Sequence, residues 1–162
     1  MRVFDQRWPT CIIIEIDDAD FFRERGKSGK MGGALMPTKN RAHGAKRGGG
    51  KFVTPRQKHF RGLIAWHCKG LEVGLGSYRL QVEQVCRARR RIGAMWLPQP
   101  DSDACLTAIR DAIETRKDFT GLVLDDAQIV DNAITSTLST SAPRSCSLRI
   151  ELTAMPQRGA GA

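Results

Sequence analysis

The chain has 162 residues, 41% of them apolar, with a formal charge of +9 and a pI near 9.8. That length suits a single domain, residues 1–162, with an ordinary core. No apolar run reaches the ~18–20 residues that a membrane-crossing helix needs, and Met1 to Thr10 hold no apolar leader segment, so no secretory signal is expected. Five cysteines at wide spacings (11, 68, 86, 105 and 146) include no C-x₂-C pair, so neither a zinc site nor a redox motif is indicated. Reduced, mostly buried thiols in a cytoplasm are the expectation.

Thr10 to Glu15 is β-branched and reads as a buried strand, ended by Asp17 to Asp20. From about 23 to 51 no periodicity is present. Glycines and cations dominate, including Gly48-Gly49-Gly50, which predicts a long flexible loop. From Arg23 to Lys69 the chain carries 13 Lys and Arg against the single acid Glu24. Such a balance favours a polyanionic partner. Lys39, Arg41, Lys46, Arg47, Lys51 and Arg56 are the candidate nucleic-acid contacts from this stretch.

Thr54-Pro55 predicts a helix start, with Thr54 as cap and Pro55 at the first position. Phe60, Leu63, Ile64, Cys68 and Leu71 make its apolar stripe, and Gly70 its stop. His59 and His67 lie on this helix without a carboxylate at matching spacing and read as structural or surface residues. Tyr78 to Arg91 alternates as one strand. Tyr78, Leu80, Val82, Cys86 and Ala88 share one face; Arg79, Glu83, Arg87, Arg89 and Arg91 share the other. Arg87, Arg89 and Arg91 would form a row of positive charge, suited to phosphates or to guarding an exposed edge.

Arg91 to Leu97 reads as a further strand, with a turn at Pro98 and Pro100. A second helix is expected from about 103 to 116, with Cys105, Leu106, Ile109, Ala112 and Ile113 inward. Gly121 to Leu124 reads as a short strand, Gln128 to Leu138 as another, and Cys146 to Thr153 as the last after a turn at 140–144. Residues from Pro156 read as a frayed tail, 156–162. The predicted class is α+β, a mixed sheet with two helices packed on one face.

The stretch Asp101 to Asp131 holds eight acids against Arg110, Arg116 and Lys117. Asp101 and Asp103 are spaced D-x-D before a helix, and Asp125-Asp126 follow a strand. If the two pairs meet, their carboxylates raise one another's pKa unless a cation neutralises them. Mg²⁺ takes carboxylate and water oxygens and can act on a phosphodiester. Caps and turns with no metal remain equally open on the pattern alone. No Ser or Cys nucleophile with a partnered His is evident, and no P-loop for a nucleotide cofactor.

At these residues the chain resembles the RusA family of Holliday junction resolvases. That family carries D-x-D-N-x-x-K at a helix start, an Asp-Ala-Leu/Ile element, and a strand ending in D-D-x-Q-[IV]. Asp101-Ser102-Asp103, Asp111-Ala112-Ile113 and Asp125-Asp126-Ala127-Gln128-Ile129 match these elements, and LRIELTAMP is similar to the family's last strand. The match covers Asp101 to Pro156; upstream, only the order of elements agrees. The resemblance implies a homodimeric, Mg²⁺-dependent endonuclease of bacterial or phage origin that cuts four-way junction DNA in recombination and repair. Asp101, Asp103 and Asp126 would be its catalytic metal carboxylates, with Asp125 in support. Two positions depart from the pattern. Ala104 replaces the family's Asn, and Thr107 replaces a Lys that would stabilise charge at the phosphate. Arg110, one turn further on, could supply part of that charge. A junction-binding protein with weakened catalysis is the alternative, and a basic structural protein whose acids are only caps is a third.

Overall fold

The computed structural model describes residues 11–71, 75–86, 88–99, 102–117, 120–139 and 146–156. In chain order the elements are β1 (Cys11–Ile16), α1 (Lys39–Ala42), β2 (His43–Ala45), β3 (Lys51–Val53), α2 (Pro55–His67) and β4 (Tyr78–Cys86). Then follow β5 (Ala88–Ile92), β6 (Met95–Gln99), α3 (Ser102–Ile113), a 3₁₀ turn (Asp126–Gln128), β7 (Ile129–Leu138) and β8 (Ser147–Ala154).

The alternating strands dictate a sheet with one wet face. Ile12, Ile14 and Ile16 of β1 lie opposite Leu152, Ile150 and Leu148 of β8, antiparallel and all buried. The other edge of β8 pairs antiparallel with β4, setting Leu80 against Leu152 and Val82 against Ile150. β4 then pairs parallel with β7, giving a mixed four-stranded sheet in the order β1-β8-β4-β7. Alternate residues such as Ile13, Glu15, Arg79, Gln81 and Glu83 are exposed on the opposite face.

The buried face needs a cover, and α2 and α3 supply it. Phe60 and Ile64 of α2, with Cys105, Ile109, Ala112 and Ile113 of α3, belong to the same core as the strand residues. The α+β class and the two helices on one sheet face are as expected. The helices are pinned to each other by a polar tie: Gln57, 1% exposed, donates through Nε2 to the Ala108 carbonyl at 3.3 Å. A parallel pair requires a long crossover, and here β5, β6, α3 and the 3₁₀ turn form the passage from β4 to β7. Both predicted signals at the head of α2 hold. Thr54 Oγ1 accepts from the Gln57 N–H at 3.4 Å, and Pro55 opens the helix. Gly70, at φ 85°, takes the left-handed conformation expected of its stop.

Four expectations are corrected. The alternation from Tyr78 to Arg91 is not one strand. β4 ends at Cys86 opposite Leu138 of β7, and β5 pairs instead with β6 in a separate two-stranded ribbon. Alternation has the same period on both sides of that break, so it cannot reveal a change of partner. Of the three arginines expected in a row, Arg89 and Arg91 lie two apart on β5 rather than on β4, and Arg87 lies outside the described residues. The strand expected at Arg91 to Leu97 is the tip of this ribbon, turning at Gly93, where φ is 58°. The stretch 23–51 is only partly loop. Arg25 bridges Met31, α1 forms a single turn, and β2 pairs with β3. Elements of three or four residues are too short to show periodicity. Gly48, Gly49 and Gly50 all have positive φ and make the hairpin turn that other residues would resist. Likewise, the expected strand Gly121 to Leu124 contributes one bridge, Val123 to Glu114. The 140–144 turn and the tail after Pro156 lie outside the described residues.

Four of the five cysteines are buried and none of the five is in a disulfide. Burial pushes the Cys68 and Cys105 thiols up to about 12, so neither is thiolate near neutral pH. Among the described residues no helix is long and apolar enough to cross a membrane.

One carboxylate ties the end of β1 to the start of β8. Asp18 Oδ2 meets Arg23 Nη2 at 2.5 Å, and Asp18 Oδ1 accepts from the Cys146 N–H at 3.2 Å. Burial pushes the Asp18 carboxyl up, but the Arg23 guanidinium and the Cys146 donors outweigh it and hold it below its ordinary value of 3.8. A carboxyl lowered by folding stabilises the fold above its unfolded value, and that stability is lost as pH falls through the folded value. Both side chains are about a third exposed, so the contribution is roughly 0.5–1 kcal/mol. Asp18→Asn is expected to lower the urea midpoint at pH 7 and to lose this difference from wild type near pH 2. Equal midpoints at pH 7 would refute the assignment.

Candidate metal centre and nucleic-acid interface

The acidic turn is built by a close approach of backbone. After α3 the chain doubles back, and the Ile113 carbonyl accepts from the N–H of both Leu122 (2.7 Å) and Val123 (3.2 Å). Thr115 N–H closes the return by donating to the Val123 carbonyl at 2.8 Å. Gly121 permits this, because a Cβ there would overlap the Ile113 carbonyl. Leu124, Asp125 and Asp126 are thereby delivered alongside α3, against which the 3₁₀ turn packs.

Asp125 is spent on that turn. It is the N-cap, its Oδ1 accepting from Ala127 N–H at 2.8 Å, in a capping box completed by Gln128. Gln128 Oε1 accepts from the N–H of Leu124 (2.7 Å) and Asp125 (3.1 Å), while its Nε2 donates to the Gly76 carbonyl at 2.9 Å. This glutamine locks the acidic turn to the chain just before β4. Sequence reasoning did not assign it a role, although Asp125-x-x-Gln128 is a legible capping-box spacing.

Asp126 is held differently. Arg110 Nη2 donates to its backbone carbonyl at 3.1 Å and stands 3.4 Å from its Oδ2. Asp126 keeps 46% of its side-chain surface open. Asp103 lies in the first turn of α3 and is exposed. Asp103, Thr107 and Arg110 follow at i, i+4 and i+7, so they share one helix face. Thr107 Oγ1 donates to the Asp103 carbonyl at 3.0 Å, directed back along its own helix. Asp101 lies outside the described residues. Among the described residues, no three His, Cys, Asp or Glu side chains form a group of metal-binding size.

Asp103 and Asp126 are accessible oxygen donors with no thiol or imidazole beside them in the acidic set. Mg²⁺ is commonly held by one or two carboxylates, with water and substrate phosphate completing its shell. Of the described acids, Asp103 and Asp126 are the ones that could offer oxygens to such a shell, and in this structure Asp126 has Arg110 as its countercharge.

The basic candidates fall on a defined scaffold. Lys39 and Arg41 are exposed on α1, Lys46 and Arg47 in the hairpin turn, and Lys51 on β3. α1 packs against α3, so this cationic element adjoins the helix that opens with the acids. Arg56 is the exception among them, being buried at 6% exposure. Arg91 is exposed on β5, where its Nε donates to the Gly93 carbonyl at 2.7 Å and its guanidinium lies 5.8 Å from the Trp96 ring centre. His59 Nε2 lies 2.5 Å from the Asp20 carbonyl and His67 stands edge-on to Trp66, contacts suited to the structural roles expected of them.

Compared with protein-family models and with curated proteins, the chain matches none.

The Arg110 pairing makes a competition testable. A cation at Asp126 must displace the guanidinium, so Arg110→Ala is expected to bind Mg²⁺ more tightly than wild type. Thermal melts with and without Mg²⁺ read this directly, since saturating a folded-state site a hundredfold above its Kd adds about 2.7 kcal/mol. The Mg²⁺-dependent rise should be larger in Arg110→Ala and absent in Asp126→Asn. No rise in either protein would remove Asp126 from any metal site.

Proposed function

We propose that this chain is a Mg²⁺-dependent, structure-specific endodeoxyribonuclease that resolves four-way DNA junctions, as a homodimer of the RusA kind in a bacterial or phage-infected cytoplasm. The observation that carries the proposal is the packing of cationic α1 against α3, the helix that bears Asp103 and meets the Asp126 turn. A strand of DNA lying over the hairpin would bring its phosphates toward those acids.

Asp103 and Asp126, with Asp101, would hold the ion. When bound, Mg²⁺ supplies a more acidic water and neutralises charge on the phosphoryl oxygens. The protein's own contribution is positional. Lys39, Arg41, Lys46, Arg47 and Lys51 bind the backbone through charge, without reading bases. Asp125 and Gln128 fix the turn that carries Asp126. Arg110 lies on the face of α3 that bears Asp103, at a place where a cation can offset charge on a phosphate. Binding of this kind weakens steeply with added salt.

A second reading rests on Thr107. Where the family's pattern has a lysine, this chain has a hydroxyl engaged with its own helix. Such a protein would bind junctions and cut them poorly or not at all.

A synthetic four-way junction with Mg²⁺ separates the two. Under the first reading, wild type cleaves and Asp103→Asn loses at least roughly a hundredfold in rate, beyond the loss typical of residues that merely support a metal ligand. Equal cleavage by both proteins would overturn it. Under the second reading wild type binds without cutting, and Thr107→Lys gains cleavage.

A further inference from the structure

We propose that the pocket between α1 and the head of α2 is a binding site for a single phosphate group, held by Arg56 and Arg41. The pocket has a volume of about 470 Å³, opens to solvent, and is lined by Glu24, Arg41, Thr54 and Arg56. Its position follows from the sequence. Thr54 N–H donates to the Ala42 carbonyl at 2.9 Å and Thr54 Oγ1 to the Arg41 carbonyl at 2.7 Å. These bonds stitch the end of α1 to the N-cap of α2.

Arginine is almost never fully buried unless it is paired, yet Arg56 is 6% exposed and its pairing is loose. Its one carboxylate neighbour among the described residues, Glu24, stands 3.9 Å from Nη2, beyond hydrogen-bond reach, with 67% of its own side chain in solvent. Arg41 has no ion pair among the described residues and is near enough to act on Arg56. Burial first, and then the Arg41 charge, pull the Arg56 pKa down, with Glu24 opposing. Two guanidinium groups thus line one pocket with a single, half-engaged carboxylate, leaving a positive surplus there.

The backbone adds to it. Pro55 has no N–H, Gln57 N–H donates to Thr54 Oγ1, and Lys58 N–H donates to the Thr54 carbonyl. In the first turn of this 13-residue helix, that leaves the Arg56 N–H without a protein acceptor among the described residues. A helix start with a free donor and two arginines matches the shape and charge of a phosphate, which accepts several hydrogen bonds and favours the positive end of the helix dipole. The ligand displaces Glu24, whose exposed carboxylate is a weak placeholder. That the phosphate belongs to a DNA backbone rests on the function proposed above; the site itself does not.

The test uses inorganic phosphate and the full chain, with calorimetric titration against chloride at equal ionic strength. Arg41 and Glu24 are both exposed, so Arg41→Ala and Glu24→Gln should fold. Phosphate is expected to bind wild type, to bind Arg41→Ala on the order of tenfold more weakly, and to bind Glu24→Gln several-fold more tightly because the competing charge is gone. No phosphate binding, or equal binding by all three proteins, would overturn the proposal. Titration of junction DNA then identifies the source. If Arg41→Ala lowers the slope of log affinity against log salt by about one, the phosphate is the backbone's. An unchanged slope alongside altered phosphate binding upholds the site and assigns it to a free phosphate compound. Neither result depends on cleavage, so failure of the nuclease reading leaves the site standing.

Discussion

One constraint governs the architecture: the sheet can bury only one of its faces. Leu80, Val82, Leu148, Ile150, Leu152 and the β1 isoleucines all fall on the same side because the register of β8 aligns them with both neighbours. Slipping any strand by one residue would turn its apolar set outward. With the register fixed, α2 and α3 have a single place to lie, and their mutual contact through Gln57 follows. The acidic turn and the cationic hairpin then take their positions from those two helices. The candidate functional surface is thus set by residues that touch no ligand.

Opposite charges are segregated along the sequence and adjoin in space. The segment with 13 cations folds into α1, the hairpin and α2, and α1 meets α3 at the acidic segment. Arg110 shows how the acids are accommodated locally, bonding both the carbonyl and the carboxylate side of Asp126. Among the described residues its buried Nε has no hydrogen-bond partner, which leaves the guanidinium less than fully satisfied there.

What the sequence revealed depended on length and period. The long strands, both helices and the Thr54-Pro55 start were legible because each is a repeating pattern or a local rule carried by named residues. The break at Cys86 was not, because β4 and β5 have the same period and differ only in partner. The hairpin within 23–51 was hidden by its brevity, although its three glycines marked the turn. At the site, spacing left the aspartates open between metal ligands and caps, and it could not single out Asp125, whose cap depends on a glutamine three residues later. It marked Arg110 as a source of charge for a phosphate but not its pairing with Asp126, which exists only once Gly121 has let the chain fold back on α3.

The place of β8 has a consequence for how the molecule assembles. This strand comes last in sequence among the elements yet lies between β1 and β4, and its pairing with β1 joins Cys11 to Thr153. Until it inserts, β1 has no neighbour in the sheet and β4 has only β7. Contacts so distant along the chain make folding slow, because the loop must close before the pairing rewards it. The intermediate would carry two open strand edges flanked by isoleucine and leucine, the kind of surface that recruits other chains. For this fold, the hazard of aggregation is concentrated in the interval before one eight-residue strand finds its slot.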